Sequence, residues 1–155
     1  MKKRKTIRII LLILMVLTVL FIWSNSLWSK DASAAQSGTV RAALQNMLDT
    51  LGIPLQLTDH FVRKAAHFLQ FFLFGTEVTL YHIFGDHFCR RDAGTIAVTV
   101  FGTAFLDETL QIFSDRGPMI ADVWLDGAGG LTAMLLVFAF YFLFSARGRR
   151  RKTQK

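Results

Sequence analysis

The sequence predicts an all-α polytopic membrane protein: one domain over residues 1–155, with four transmembrane helices and both termini in the cytoplasm. Three observations lead to this fold class. The chain is 52% hydrophobic and only 19% charged, whereas soluble domains have about 25% charged residues. Four runs of about twenty residues are apolar enough to cross a bilayer. The basic residues are concentrated in three segments that flank or separate these runs.

Each apolar run has the length that a membrane crossing needs, because about twenty helical residues at 1.5 Å each cover about 30 Å of hydrocarbon. Span one, residues 9–29, contains no charged side chain. Span two, residues 65–85, contains Glu77 as its only formal charge. Span three, residues 93–114, is apolar as far as Asp107, and span four, residues 127–146, is uncharged and rich in Phe and Leu.

The first run has an alternative interpretation as a cleaved signal peptide. Lys2 to Lys5 resemble a basic amino-terminal region, and Ala32-Ser33-Ala34 fits a small-x-small cleavage site. The uncharged run is longer than the about 15 residues of a usual signal-peptide core. The sequence therefore favours a retained membrane anchor over a cleaved leader.

The distribution of basic residues predicts the orientation, since Lys and Arg in short loops stay in the cytoplasm. The predicted cytoplasmic pieces are Lys2 to Arg8, Arg90-Arg91 and Arg147 to Lys155, whereas the outer segments are net acidic. An even number of spans agrees with both termini lying inside. A basic flank beside anionic lipid also explains the carboxyl-terminal tail, so we expect the lipid bilayer and not nucleic acid as its partner.

The outer loop, residues 30–62, is predicted to contain a helix on the membrane surface. It opens with a polar stretch as far as Gly38, and from Val40 to Leu51 apolar residues recur at steps of three and four. Gly52 and Pro54 are expected to end this helix. Thr58 is a predicted N-cap for the helix of span two.

The polar residues of the spans are predicted to meet at the outer face. At 100° per residue Arg63, His67, Gln70 and Glu77 fall within about 80° of arc on span two. Asp107 and Gln111 are i,i+4 neighbours near the outer end of span three, as Asp122 and Asp126 are at the entry to span four. The candidate ligand-binding residues are Arg63, Lys64, His67, Asp107, Glu108, Gln111, Arg116, Asp122 and Asp126.

A purely structural role is the alternative for these groups. Asp107 or Glu108 could neutralise Arg63 or Lys64, as buried pairs that fix helix register. Asp122 could hold Arg116 in the same way. Charged groups at membrane depth are expensive and usually mark function, and ion pairs alone would need fewer residues than this set contains. Glu77 lies beyond the bilayer midplane, where it should be paired or neutral.

The order of these motifs resembles the VanZ-like membrane protein family. The motifs are Val62-Arg-Lys-Ala-Ala-His-Phe, Asp107-Glu-x-x-Gln111, Arg116, and Asp122-x-x-x-Asp126-Gly127-x-x-Gly130. The family pattern has a Tyr where this chain has Phe71 and Phe72, and often an Asn at the position of Asp126. The resemblance implies that Lys64, His67, Asp107, Glu108, Gln111, Arg116, Asp122 and Asp126 form one site. It also implies a bacterial inner-membrane protein of the cell envelope, whose namesake lowers susceptibility to the glycopeptide teicoplanin.

Three functions are compatible with such a site. The first is binding of an anionic lipid or cell-wall intermediate, with Arg63, Lys64 and Arg116 on its phosphate. The second is an intramembrane hydrolase in which His67, Asp107 and Glu108 are the catalytic candidates. In this case His67 with Asp107, Glu108, Asp122 or Asp126 provides ligands for a divalent metal, or an acid–base pair. The third is transport, which Glu77 weakly suggests. At the level of sequence, a metal, a cofactor and enzymatic activity all stay open.

Overall fold

The computed structural model describes residues 2–85, 89–114, 117 and 119–152, and in these residues all regular structure is helical. This confirms the predicted all-α class. The helices are α1 (Lys2–Ser26), α2 (Lys30–Thr50), α3 (Asp59–Ile83), α4 (Arg90–Gln111) and α5 (Ile120–Lys152). One 3-10 turn, Ile112–Ser114, extends α4.

Three of the described helical segments are long and apolar enough to cross a membrane: Lys2–Ser26, Arg91–Ser114 and Ile120–Phe144. They coincide with predicted spans one, three and four. Helix α3, which contains predicted span two, has comparable length, but its sequence includes Asp59, Arg63, Lys64 and Glu77. Because of these polar residues, α3 is not among the described segments that composition identifies as able to cross a membrane.

The connection between the first two spans is more helical than the sequence suggested. Helix α2 already begins at Lys30, ten residues before the predicted surface helix that starts at Val40, so the polar stretch as far as Gly38 is also helical. The side chain of Ser29 caps this helix by accepting a hydrogen bond from the amide of Ala32 at 3.3 Å, and the alanines that follow favour helix. Gly52 ends it with a φ of +68°, as predicted. Helix α5 likewise begins at Ile120, seven residues before predicted span four.

Helix α3 lies at the centre of the bundle and contacts α1, α2, α4 and α5. Its predicted N-cap is confirmed, because the Thr58 hydroxyl accepts from the amide of Phe61 at 3.1 Å. The core around it is apolar and includes Phe71, Phe74 and Val78, each at most 2% exposed. These side chains pack against Ile22 of α1, Ile96 and Val100 of α4, and Met134 of α5.

The four helices α1, α3, α4 and α5 run in alternating directions along the bundle. At one end of the bundle the Arg8 guanidinium lies 4.5 Å from the centre of the Tyr81 ring. Residues 137–144 of α5 reach the same end, where they line a groove with Leu80 and Phe84. The carboxyl end of α1 and the amino end of α5 therefore lie together at the opposite end, where the polar residues gather.

Glycines bring the backbones of α3 and α5 into direct contact. A Cβ atom at Gly75 would lie 2.5 Å from the carbonyl oxygen of Gly130, and one at Gly129 would lie 2.4 Å from the carbonyl oxygen of Phe68. Carbon and oxygen atoms cannot approach this closely without overlap. The small residues of predicted span four thus allow a close helix approach, which places Asp126 beside His67.

Candidate functional site

The centre of the candidate site is a cluster of three side chains from three helices. His67 Nδ1 of α3 lies 3.6 Å from Asp126 Oδ2 of α5 and 3.9 Å from Asp107 Oδ2 of α4. Both aspartates are 0% exposed, whereas the His67 side chain is 18% exposed. The cluster is therefore buried on its carboxylate side and reaches the surface through the imidazole.

Helix α1 also contributes to this cluster, which the sequence did not predict. The Ser26 hydroxyl donates to Asp107 Oδ1 at 2.5 Å, and the Ser114 hydroxyl donates to the backbone carbonyl of Ser26 at 2.8 Å. Ser26 is one of several small polar residues at the end of span one, and nothing in the local pattern distinguishes it. Only the packing of α1 against α4 identifies it as a partner of the buried carboxylate.

Glu108 has a separate set of partners. Its Oε1 accepts from Gln111 Nε2 at 2.6 Å, and its Oε2 accepts from the backbone amide of Met119 at 2.9 Å. Gln111 Nε2 also lies 3.4 Å from Asp107 Oδ2. Both oxygens of Glu108 are thus engaged, so this residue ties the segment before α5 to α4.

Lys64 forms an ion pair with Asp122 at the mouth of the site. The alternative in which Asp107 or Glu108 neutralises Lys64 was therefore wrong. Both partners of the pair are partly exposed, with side-chain exposures of 28% and 24%. Arg116, and with it the expected contact between Arg116 and Asp122, lies outside the described residues.

A small cleft of about 130 Å³ opens above the buried cluster. Three cationic side chains line it: Lys30, Arg63 and Lys64. His67, Gln111 and Asp122 also line it. In the described part of the chain neither Arg63 nor Lys30 forms an ion pair. Lys30 was not predicted as a site residue, because it lies in the outer segment and is far from Arg63 along the chain.

A second cleft of about 130 Å³ lies on the other side of Arg63 and His67. Its lining is more apolar and includes Phe21 of α1 and Val40 of α2, with Gln70 of α3. Arg63 and His67 line both clefts. The two spaces therefore meet at the polar face of α3 that the helical spacing predicted.

The carboxylate of Asp126 is fully buried, and in the described structure neither of its oxygens has a hydrogen-bond partner. A buried unsatisfied carboxylate is costly. One ligand atom from each of His67, Asp107 and Asp126 lies within 4.8 Å of the other two. These three residues are the described set that has the composition and spacing to hold a metal ion.

Glu77 does not belong to this cluster. It is buried further along α3, away from the polar end of the bundle, where Thr18 Oγ1 of α1 donates to its Oε1 at 3.0 Å. No Lys or Arg forms an ion pair with it among the described residues. Glu77 was predicted to share one face of α3 with Arg63 and His67. Its distance from them along the helix axis nevertheless separates it from the site.

Comparison with known families gives one match. The family described as VanZ/LLP1 matches residues 8–144, which include α2, α3 and α4 in full, most of α1 and α5, and every described candidate site residue. No curated protein and no solved structure matches the chain.

Proposed function

The chain belongs to the VanZ/LLP1 family, as the motifs between Val62 and Gly130 predicted, and we propose that it binds an anionic lipid or cell-wall intermediate at the outer face of the bacterial cytoplasmic membrane. The proposed topology has four spans, with α3 as the second, and both termini in the cytoplasm.

The position of α3 supports a fourth crossing despite its polar composition. It packs against α1, α4 and α5, each of which contains a segment able to cross a membrane. Polar residues within a membrane usually face a bundle interior or a cavity, and Arg63, His67 and Gln70 line clefts between helices. The antiparallel arrangement also brings the basic amino terminus and the carboxyl-terminal part of α5 to the same side, in agreement with the positive-inside rule.

The observation that carries the binding proposal is the group of three cations around one cleft. Lys30, Arg63 and Lys64 line it, and among the described residues only Lys64 has a carboxylate partner. Two cations without carboxylate partners favour an anionic ligand. The planar fork of Arg63 suits a phosphate, which it can bind through two parallel hydrogen bonds.

The second cleft suggests why the ligand would be a lipid and not a free anion. It adjoins the first at Arg63 and presents Phe21 and Val40, which suit an apolar chain. A phosphate in the first cleft and a hydrocarbon chain in the second would be joined at Arg63. The family resemblance implies lower susceptibility to teicoplanin, a lipophilic glycopeptide, and such tolerance would follow from a change in the access of teicoplanin to the lipid side of the membrane.

The test is lipid binding by the full chain, purified in detergent. Native mass spectrometry would compare phosphatidylglycerol with phosphatidylcholine at equal concentration, for the wild type, Arg63→Gln and Lys30→Gln. We expect selective retention of phosphatidylglycerol, reduced about tenfold or more by Arg63→Gln, because a charge-assisted hydrogen bond contributes about 1.5–3 kcal/mol and 1.4 kcal/mol is a factor of ten.

The matched control is Arg41→Gln, which removes the same charge from α2. Arg41 is paired with Asp59 at 2.6 Å and lines neither of the two clefts. It should bind phosphatidylglycerol like the wild type. Equal retention of both lipids by the wild type, or an equal loss in Arg41→Gln and Arg63→Gln, would contradict a specific site.

A metal-dependent or acid–base hydrolase that acts on the same lipid is the second candidate. One observation favours it, namely the buried histidine and two aspartates directly beneath the cationic cleft. This candidate predicts that a bound phospholipid is converted to a released water-soluble headgroup or phosphate, whereas a binding protein returns the lipid intact. Phosphorus-31 spectra of incubated lipid would distinguish the two.

A further inference from the structure

We propose that His67, Asp107 and Asp126 bind a divalent transition-metal ion, with Zn²⁺ and Mn²⁺ as the ions to test. The inference concerns the buried cluster and is independent of the binding of an anion in the cleft above it. It rests on the spacing of the ligand atoms, on the balance of charge, and on the partners that the neighbouring carboxylates already have.

The spacing of the ligand atoms is close to that of a bound metal. The Nδ1 atom of His67 lies 3.6 Å and 3.9 Å from the two aspartate oxygens. Ligands about 2.1 Å from a tetrahedral Zn²⁺ ion lie about 3.4 Å from one another. The two carboxylate oxygens lie within 4.8 Å of each other, so side-chain rotations that move the ligand atoms by about 1 Å would bring all three to coordination distance.

The charge of the cluster favours a bound cation. Asp107 and Asp126 are both 0% exposed, and in the described structure no Lys or Arg forms an ion pair with either of them. Two carboxylates in one buried site repel each other, and one imidazole can supply at most one positive charge. A divalent ion would neutralise both carboxylates at once.

Asp126 provides the independent sign of a ligand. Its side chain is fully buried, and both oxygens lack a hydrogen-bond partner in the described structure. Buried polar atoms in native proteins nearly always have a partner. Its position beside two other ligand-type groups on separate helices points to a shared cation as that partner.

The neighbouring acidic residues are excluded as metal ligands, because other groups already bind their carboxylates. Asp122 is bound to Lys64, and both oxygens of Glu108 accept hydrogen bonds. Asp107, by contrast, accepts the Ser26 hydroxyl on Oδ1, whereas its Oδ2 has only a long hydrogen bond of 3.4 Å from Gln111 and lies 3.9 Å from His67 Nδ1. This is the arrangement in which an outer hydrogen bond orients a metal ligand. The larger ligand set suggested by the sequence thus narrows to three residues.

Three protein ligands leave at least one coordination position open, as in catalytic metal sites. His67 lines both clefts, so the open position would be reached from the side where the cations Arg63 and Lys64 lie. An ion at this position would add positive charge beneath any anionic group in the cleft.

The experiment is metal binding by the full-length protein, purified with a tag that contains no histidine. The protein would be stripped with EDTA, loaded with Zn²⁺ or with Mn²⁺ in separate samples, and freed of excess metal by gel filtration. Bound metal per chain would then be measured by inductively coupled plasma mass spectrometry. We expect about one ion per wild-type chain, and at least a tenfold lower occupancy in Asp126→Asn and in His67→Gln.

Asp122→Asn is the matched control, because it removes the same charge one turn away without touching the cluster, and it should keep its metal. Helical circular dichroism and gel filtration would establish that each variant is folded. Should Asp126→Asn fail to fold, Ser26→Ala gives a second test, since loss of an outer hydrogen bond lowers metal affinity about 10–100-fold. Wild-type occupancy no higher than that of His67→Gln, or equal loss of metal in Asp122→Asn, would overturn the proposal.

Discussion

Replacing Gly129 with alanine should push α5 away from α3 and destabilise the protein. A Cβ atom at this position would lie 2.4 Å from the carbonyl oxygen of Phe68 and 3.3 Å from the amide nitrogen of Phe72. Both are backbone atoms of α3, so no side-chain rotation can relieve the overlap. The two helices would have to separate by about 1 Å to reach an ordinary van der Waals distance.

The magnitude follows from two opposing effects. Overpacking of a close contact costs about 1–3 kcal/mol, and an overlap with backbone belongs at the upper end of that range. Alanine regains up to about 1 kcal/mol of helix propensity relative to glycine. The free energy of unfolding should therefore fall by about 2 kcal/mol in Gly129→Ala.

Gly102→Ala is the control, because Gly102 lies in α4 and a Cβ atom there would meet nothing within 4 Å. It should gain up to about 1 kcal/mol, so the two alanine variants should differ by about 3 kcal/mol. The assay is unfolding by SDS titration in mixed micelles, followed by circular dichroism. A Gly129→Ala protein as stable as Gly102→Ala would refute the close approach of α3 and α5.

Three further predictions concern the polar groups of the bundle. Ser26→Ala should lower the unfolding free energy by about 1–3 kcal/mol, because a buried carboxylate loses its donor, whereas Ser24→Ala at the exposed side of α1 should change it by less than about 0.5 kcal/mol in the same titration. A double-mutant cycle on Lys64 and Asp122 should give a coupling energy of at most about 1 kcal/mol, since the pair is partly exposed. A coupling energy near zero would mean that this ion pair does not stabilise the fold. Glu77→Gln should unfold at the same SDS concentration as the wild type or a higher one, because the amide oxygen still accepts the Thr18 hydrogen bond and no charge has to be buried; marked destabilisation would show that the carboxylate form is needed.

The helical class was readable from the sequence because it depends on local properties. Run length and composition identify α1, α4 and α5 directly. The start of α2 was missed because a polar, alanine-rich stretch has no apolar period to follow, although its helix propensity is high. Helix α3 is harder to assign for a related reason: its polar residues lower its hydropathy, so the proposed crossing depends on its apolar run and on its position among three apolar helices.

The candidate site was predictable only in part. The i,i+4 spacing of residues such as Asp122 and Asp126 places them on one helix face, but it does not tell which of them has a partner. The structure shows that the first forms an ion pair with Lys64, whereas the second has only His67 within ion-pair distance and no hydrogen-bond partner among the described residues. That difference depends on the relative height of α3 and α5, which the glycine contacts set and which no local pattern encodes.

Ser26 and Lys30 were missed for the same physical reason. Each is an ordinary residue of its own segment, and each gains its role only through a contact with a distant helix. Ser26 reaches Asp107 across the α1–α4 contact, and Lys30 joins Arg63 at the cleft. Sequence reasoning finds groups that are chemically unusual where they stand, but it does not find common residues placed by packing.

The arrangement of charge argues against a purely structural role for this cluster. A buried ion pair that only fixes helix register needs each charge to face an opposite one, because an uncompensated buried charge destabilises the fold. Lys64 and Asp122 satisfy that condition. Asp107 and Asp126 do not, since the described structure places two carboxylates beside one histidine and leaves Arg63 without a carboxylate. Among the described residues Asp107 and Asp126 have no Lys or Arg partner, and Arg63 and Lys30 have no carboxylate partner, which indicates that both groups are directed at something other than each other.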